Sequence, residues 1–159
     1  MKAVSAVVWS AVLAGATLAA PAAGTVTVQD AWSRPAIETG VVYAVVRNDG
    51  AEPDRLIGGT TPVAAAVQLH QTVTSAAGAS GSTMSAMPGM AGMPAGTTVM
   101  HEVSAVPVPA HGSARLAPGG YHIMLLHLKR ALAAGQSFPL RLHFARAGWI
   151  AVSVAVRPN

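Results

Sequence analysis

The chain has 159 residues, 52% hydrophobic and 10% charged, with a net charge of +4 and no cysteine. That length buries one sizeable core, and the apolar content excludes a disordered chain. The absence of Cys removes disulfide scaffolds, thiolate zinc sites, iron–sulfur clusters, blue-copper sites and thiol catalysis, and with no basic run there is no nucleic-acid surface.

Met1 and Lys2 precede an apolar run from Ala3 to Leu18, and small residues crowd Ala19-Ala20-Pro21-Ala22-Ala23-Gly24. This is the pattern of a secretory leader cleaved near Ala22, so residues 1–22 are expected to be removed and 23–159 to form an exported, periplasmic domain. For a membrane span the run is short and rich in Ala.

Strand patterns follow. Val26 and Val28 alternate with polar neighbours, and Val41-Val42-Tyr43-Ala44-Val45-Val46 is an apolar run closed by the turn signal Asn48-Asp49-Gly50. Val67 and Leu69 alternate with Gln68 and His70. Near the C-terminus Phe138, Leu140, Leu142 and Phe144 share one face, as do Ile150, Val152, Val154 and Val156. Pro or Gly interrupts every candidate helix, so the expectation is an all-β domain of about seven or eight strands, a sandwich or Greek-key barrel.

Residues 75–98 break the pattern: they are almost wholly Ala, Gly, Ser, Thr, Met and Pro, without a charge. Such a segment packs no layer and reads as a long flexible loop. It carries Met84, Met87, Met90 and Met93 at every third position, but Pro88, Gly89, Gly92 and Pro94 oppose a helix that would give them a core face. Thioethers are soft, neutral ligands suited to Cu(I), and they withstand an oxidising compartment better than thiols do. Met as adaptable hydrophobic filler is the alternative.

A second cluster lies in Pro118-Gly119-Gly120-Tyr121-His122-Ile123-Met124. A turn leads into a strand whose alternation puts His122 and Met124 on one face and Tyr121, Ile123 and Leu125 on the other. His70, before the long loop, and Met100, after it, are the candidates to complete a metal set.

At these positions the chain resembles the periplasmic PCuAC family of copper(I) chaperones. Their motif is a His, ten residues, a Met, twenty-one residues, then His-x-Met. Residues 101–121 give the twenty-one between Met100 and His122, and Met124 follows in place. The resemblance also takes in Ala31-Trp32-Ser33-Arg34, the Val41 to Gly50 region, Val67-Gln68-Leu69-His70 and Leu116 to Leu125. The departures are the His70–Met100 gap, twenty-nine residues rather than ten, and Gln71, where the family often has Met. A flexible insertion need not displace strand ends, since loop entropy grows slowly with length.

The resemblance implies a cupredoxin-like β-barrel that holds Cu(I) on His70, Met100, His122 and Met124. It also implies delivery of that copper to the CuA centre of cytochrome c oxidase subunit II, directly or through another copper chaperone. Met84, Met87, Met90, Met93 and His101 are candidate auxiliary ligands, with Cu(II) a further candidate there. His111 reads as a turn residue and His143 as solvent-facing, His127 lies on the face opposite His122, and His101 points to the face opposite Met100 in a regular strand; Trp32 and Trp149 read as core or rim packing. A monomer without enzymatic machinery is expected. Two other functions fit the same residues: a periplasmic copper buffer or resistance protein storing Cu(I) on the Met-rich loop, and a β-sandwich interaction module that binds no metal.

Overall fold

The computed structural model describes residues 26–74 and 98–158. The expected leader and the loop methionines Met84, Met87, Met90 and Met93 lie outside the described residues.

Ten strands run in chain order: β1 (Val26–Ser33), β2 (Gly40–Asn48), β3 (Asp54–Thr60), β4 (Ala64–Thr74), β5 (Thr98–Glu102), β6 (Val106–Val108), β7 (Gly112–Leu116), β8 (Tyr121–Leu128), β9 (Ser137–Phe144) and β10 (Gly148–Val156). The all-β expectation holds. The strand number was underestimated, because β6 has three residues and β3 ends in Gly58-Gly59-Thr60 with no alternating apolar pattern.

The hydrogen-bonded order is β5-β4-β8-β7-β2-β1-β10-β9-β3-β6, and the strip folds over so that β3 meets β4 and β6 meets β7. One core fills the interior. Phe138, Leu140, Leu142 and Phe144 of β9 are all buried while Ser137, Pro139 and Arg141 are exposed, the period-two burial of a strand with one wet face. Across from them lie Val42, Val46, Leu116, Ile123 and Leu125.

Asn48-Asp49-Gly50 makes the expected turn, with Asn48 Oδ1 accepting from Gly50 N and Asn48 Nδ2 donating to Glu52 O. It does not fold β2 back on itself as a hairpin. The chain crosses instead to β3, which pairs with β9 and β6.

The far layer is held by one carboxylate. Asp54, 5% exposed, accepts from Arg55 N at 2.7 Å, from Arg146 N at 2.9 Å and from Ala147 N at 2.9 Å. The last two amides belong to the β9–β10 turn, so this side chain pins that hairpin to β3. Removing it would strand three amides in a nearly dry corner. Asp54→Ala is expected to destabilise the fold by about 3 kcal/mol. Urea unfolding with an unchanged m value would measure this, and a loss below about 1 kcal/mol would show that water replaces the carboxylate.

Candidate metal centre

The centre is built on β4, β8 and the edge strand β5. His70 and His122 are direct cross-strand partners in the antiparallel β4–β8 pairing, and Met124 stands opposite Gln68. In the β4–β5 pairing Glu102 faces His70 and Met100 faces Thr72. Partners across a ladder share a face. His70, His122, Met124 and Met100 therefore project from one side of the sheet, with Gln68 and Glu102 among them, while Leu69 and Ile123 project into the core. The expected same-face relation of His122 and Met124 is what the register gives.

The turn before β8 is encoded locally. Gly120 N donates to Ala117 O at 3.0 Å, with Pro118 and Gly119 at the corners and Gly119 at φ +82°. Pro at the first corner and a left-handed Gly at the second are the requirements of a type II turn. The turn aims Gly120 O at two donors, Thr72 N at 3.0 Å and the His122 ring at Nδ1, also 3.0 Å. A carbonyl only accepts, so His122 Nδ1 carries the proton and Nε2 keeps its lone pair.

The two imidazole rings lie 5.9 Å apart between centroids, tilted by 32°. His70 Nε2 is 3.1 Å from Gln68 Oε1. The remaining nitrogens, His70 Nδ1 and His122 Nε2, are buried and have no hydrogen-bond partner among the described residues. Buried polar atoms are rarely left so, and an orphan lone pair on each of two facing imidazoles is what a metal would satisfy. Among the described residues no group of three or more His, Asp or Glu converges for a metal.

Burial differs sharply among the four. His122 is only 4% exposed, whereas Met100 is 61% exposed on the edge strand, and His70 and Met124 are half-buried. His122 is therefore the most deeply set of the four and Met100 the most open. His70 has its pKa lowered from 6.5, first by burial and then by the like charge of His122; Glu102 pulls the other way and His101 adds a smaller lowering.

His101 pairs with Gln71 and so projects from the face opposite His70, as expected; its Nε2 is also buried without a partner among the described residues. His111 and His127 sit apart from the centre at positive φ of 48° and 52°. His143 stacks on Trp149 at 4.3 Å, and Arg141 lies over the same indole, which is 47% exposed. Trp32 packs on Tyr43 at 4.8 Å, on the outer face of the sheet, beside a hollow of about 390 Å³. Sequence reasoning passed over Gln68 and Glu102. Each stands two residues from a candidate ligand, and alternation alone would have put both on the metal face.

Comparison with known proteins matches the family model "Putative lipoprotein LpqE-like" to residues 26–99 and 81–156. "Putative lipoprotein Lxx21020" of Leifsonia xyli subsp. xyli (strain CTCB07) is 33% identical over 135 residues, 83% of this chain and 69% of that protein. Among solved structures, the apo PCuAC domain from PmoF1 superposes with a TM-score of 0.64 at 23% identity, covering 86% of this chain and 97% of that one. The solution structure of CuI-DR1885 from Deinococcus radiodurans gives 0.56 at 25% identity, over 91% and 84% of the two chains. The cupredoxin-like fold and the PCuAC resemblance are thereby borne out, and the chain belongs to the LpqE-like family, built on the fold of the PCuAC copper domains.

Proposed function

We propose that this protein is an exported copper(I) chaperone, not an enzyme, that carries one Cu(I) on His70, Met100, His122 and Met124 and yields it to the CuA centre of cytochrome c oxidase subunit II or to another copper chaperone. The observation that carries this reading is the pair of facing imidazoles, each with one nitrogen hydrogen-bonded and the other bare. The Cu(I)-bound state named for DR1885 supports the choice of metal. Residues 1–22 as a cleaved leader, and the lipoprotein names of the family and its relative, support an exported location.

The chemistry suits a carrier. Two neutral imidazoles and two thioethers leave the ion's single charge uncompensated, which favours exchange onto an acceptor's anionic thiolates. Met100, most open to solvent, is the ligand an incoming thiolate meets first. The imidazoles give directional, deeper-set bonds that hold the ion until then.

Truncating His122 would hollow a buried position, so His70→Ala and Met124→Leu are the cleaner tests. Each is expected to weaken Cu(I) binding by at least about 100-fold, the top of the range for losing a mere supporting residue. Competition against a Cu(I) chelator under anaerobic conditions measures it, and unchanged affinity in both variants overturns the ligand set. Transfer from the loaded protein to an apo CuA domain tests delivery, while full retention of copper favours storage.

Storage has its own support in the four thioethers of the uncharged segment joining β4 to β5. Replacing Met84, Met87, Met90 and Met93 by Leu keeps bulk and removes sulfur. If the segment stores copper, Cu(I) bound per chain falls while the tight site persists; unchanged stoichiometry makes the segment a spacer.

Protons and copper compete for the same His70 nitrogen. Because its pKa lies below 6.5, His70 is neutral at pH 7 and competition begins only on acidification past the ordinary imidazole range. Followed by NMR on the His70 ring from about pH 8 to about pH 5, protonation of that ring is expected below the ordinary imidazole range. Protonation of the His70 ring within or above that range would contradict the lowered pKa.

A further inference from the structure

We propose that Gln68 and Glu102 are positioning residues: a carboxylate–amide–imidazole relay that locks His70 with Nδ1 presented to the metal face and makes that presentation depend on the docking of β5. The use of the relay rests on the copper reading above; its existence does not.

Gln68 Nε2 donates to Glu102 Oε2 at 3.2 Å, and Gln68 Oε1 lies 3.1 Å from His70 Nε2. The orientation of the amide follows from its two neighbours. Turning it over would set the amide oxygen against a carboxylate oxygen, two acceptors facing each other. With Oε1 fixed toward the ring, His70 Nε2 has to be the protonated nitrogen, because an amide oxygen accepts only. The bare nitrogen is then Nδ1, the buried atom with no hydrogen-bond partner among the described residues. The two histidines thus point opposite ring atoms at the metal face, Nδ1 from His70 and Nε2 from His122, and each proton is held on the other side, by Gln68 and by Gly120 O.

The relay crosses two strands. Glu102 is the direct partner of His70 across the β4–β5 ladder, and it shares β5 with Met100, two residues away on the same face. Among the described residues β5 is an edge strand whose one sheet neighbour is β4. Docking of β5 therefore brings the Met100 thioether and, through Glu102 and Gln68, a fixed His70 ring in one event. A β5 that peels from β4 withdraws both together. Supporting partners of this kind hold the tautomer and ring direction of metal-binding imidazoles, and losing one costs about tenfold or more in affinity.

The apo protein decides whether the relay exists. In ¹⁵N-resolved NMR the wild type is expected to show a hydrogen-bonded, slowly exchanging proton on His70 Nε2 and none on Nδ1; the reverse tautomer overturns the proposal outright. Gln68→Leu and Glu102→Ala should lose that protected proton, while Glu102→Gln, whose amide oxygen still accepts from Gln68, should keep it. Glu102 is exposed on the edge strand, so its variants serve even if Gln68→Leu does not fold. In the Cu(I)-loaded protein, which is diamagnetic, the His70 nitrogen shifts should report Nδ1 coordination in the wild type. They should report a mixture in Gln68→Leu and Glu102→Ala, with chelator-measured affinity down about tenfold and restored in Glu102→Gln. Loss of the protected proton with affinity unchanged overturns the positioning role. If instead His70→Ala and Met124→Leu both leave affinity unchanged, the copper reading fails while the apo spectra still decide the relay.

Discussion

The register between β4 and β8 is the constraint on which the candidate centre depends. A slip of one residue would separate His70 from His122 and turn either Leu69 or Ile123 out of the core, because side chains alternate strictly across a sheet. Leu69 and Ile123, both buried and direct partners, oppose that slip from the inner face. The apolar core and the polar cluster are two sides of one ladder, so the hydrophobic effect on one face fixes the imidazole separation on the other. From the end of the strands, Gly120 O adds a second lock, bonded at once to the β4 backbone and to the His122 ring.

Much of this was legible because the local code was strong. His122-x-Met124 in an alternating strand, preceded by Pro118-Gly119, predicts both a shared face and a turn, and burial at Ile123 and Leu125 agrees. The apolar alternation of β9 and β10 was equally plain. Where local signals were weak or pointed elsewhere, the reading fell short. β3 and β6 owe their strand conformation to pairing with distant β9 and with each other, which no short window of sequence contains. Burial of His122 is likewise a tertiary fact: alternation gives the side of the sheet and is silent on what covers it. Gln68 and Glu102 look like ordinary polar residues on an outer face until the pairing of β4 with β5 links them to a His70 ring nitrogen.

The outer face beyond the two histidines is neither bare nor acidic. Val41 of β2 is the partner of Met124, and two residues on, Tyr43 is the partner of Trp32 in β1. Arg157 lies over the Trp32 ring at 5.6 Å, a cation–π contact on the outer face. The candidate centre is thus flanked by the Trp32–Tyr43 pair on one side and, among the described residues, by an edge strand on the other, with Met100 its most exposed residue. This asymmetry lets the site be buried at His122 and still accessible at one thioether.

The topology also bears on how the chain reaches its final state. β1 lies between β2 and β10, pairing in parallel with the last strand through Trp32–Ala155 and Ser33–Val156. The first and last strands are therefore the seam joining the two halves of the sheet, β5-β4-β8-β7-β2 and β10-β9-β3-β6. Every residue of the candidate centre has been made by Leu128, but Phe138 to Phe144, which roof the core, and the strand that closes the seam come afterwards. Such long-range closure makes folding slow and defers it until the whole chain is available. A chain of this design is expected to complete its core, and with it the sheet that carries the paired imidazoles, late in folding, when its C-terminal strand pairs with the first.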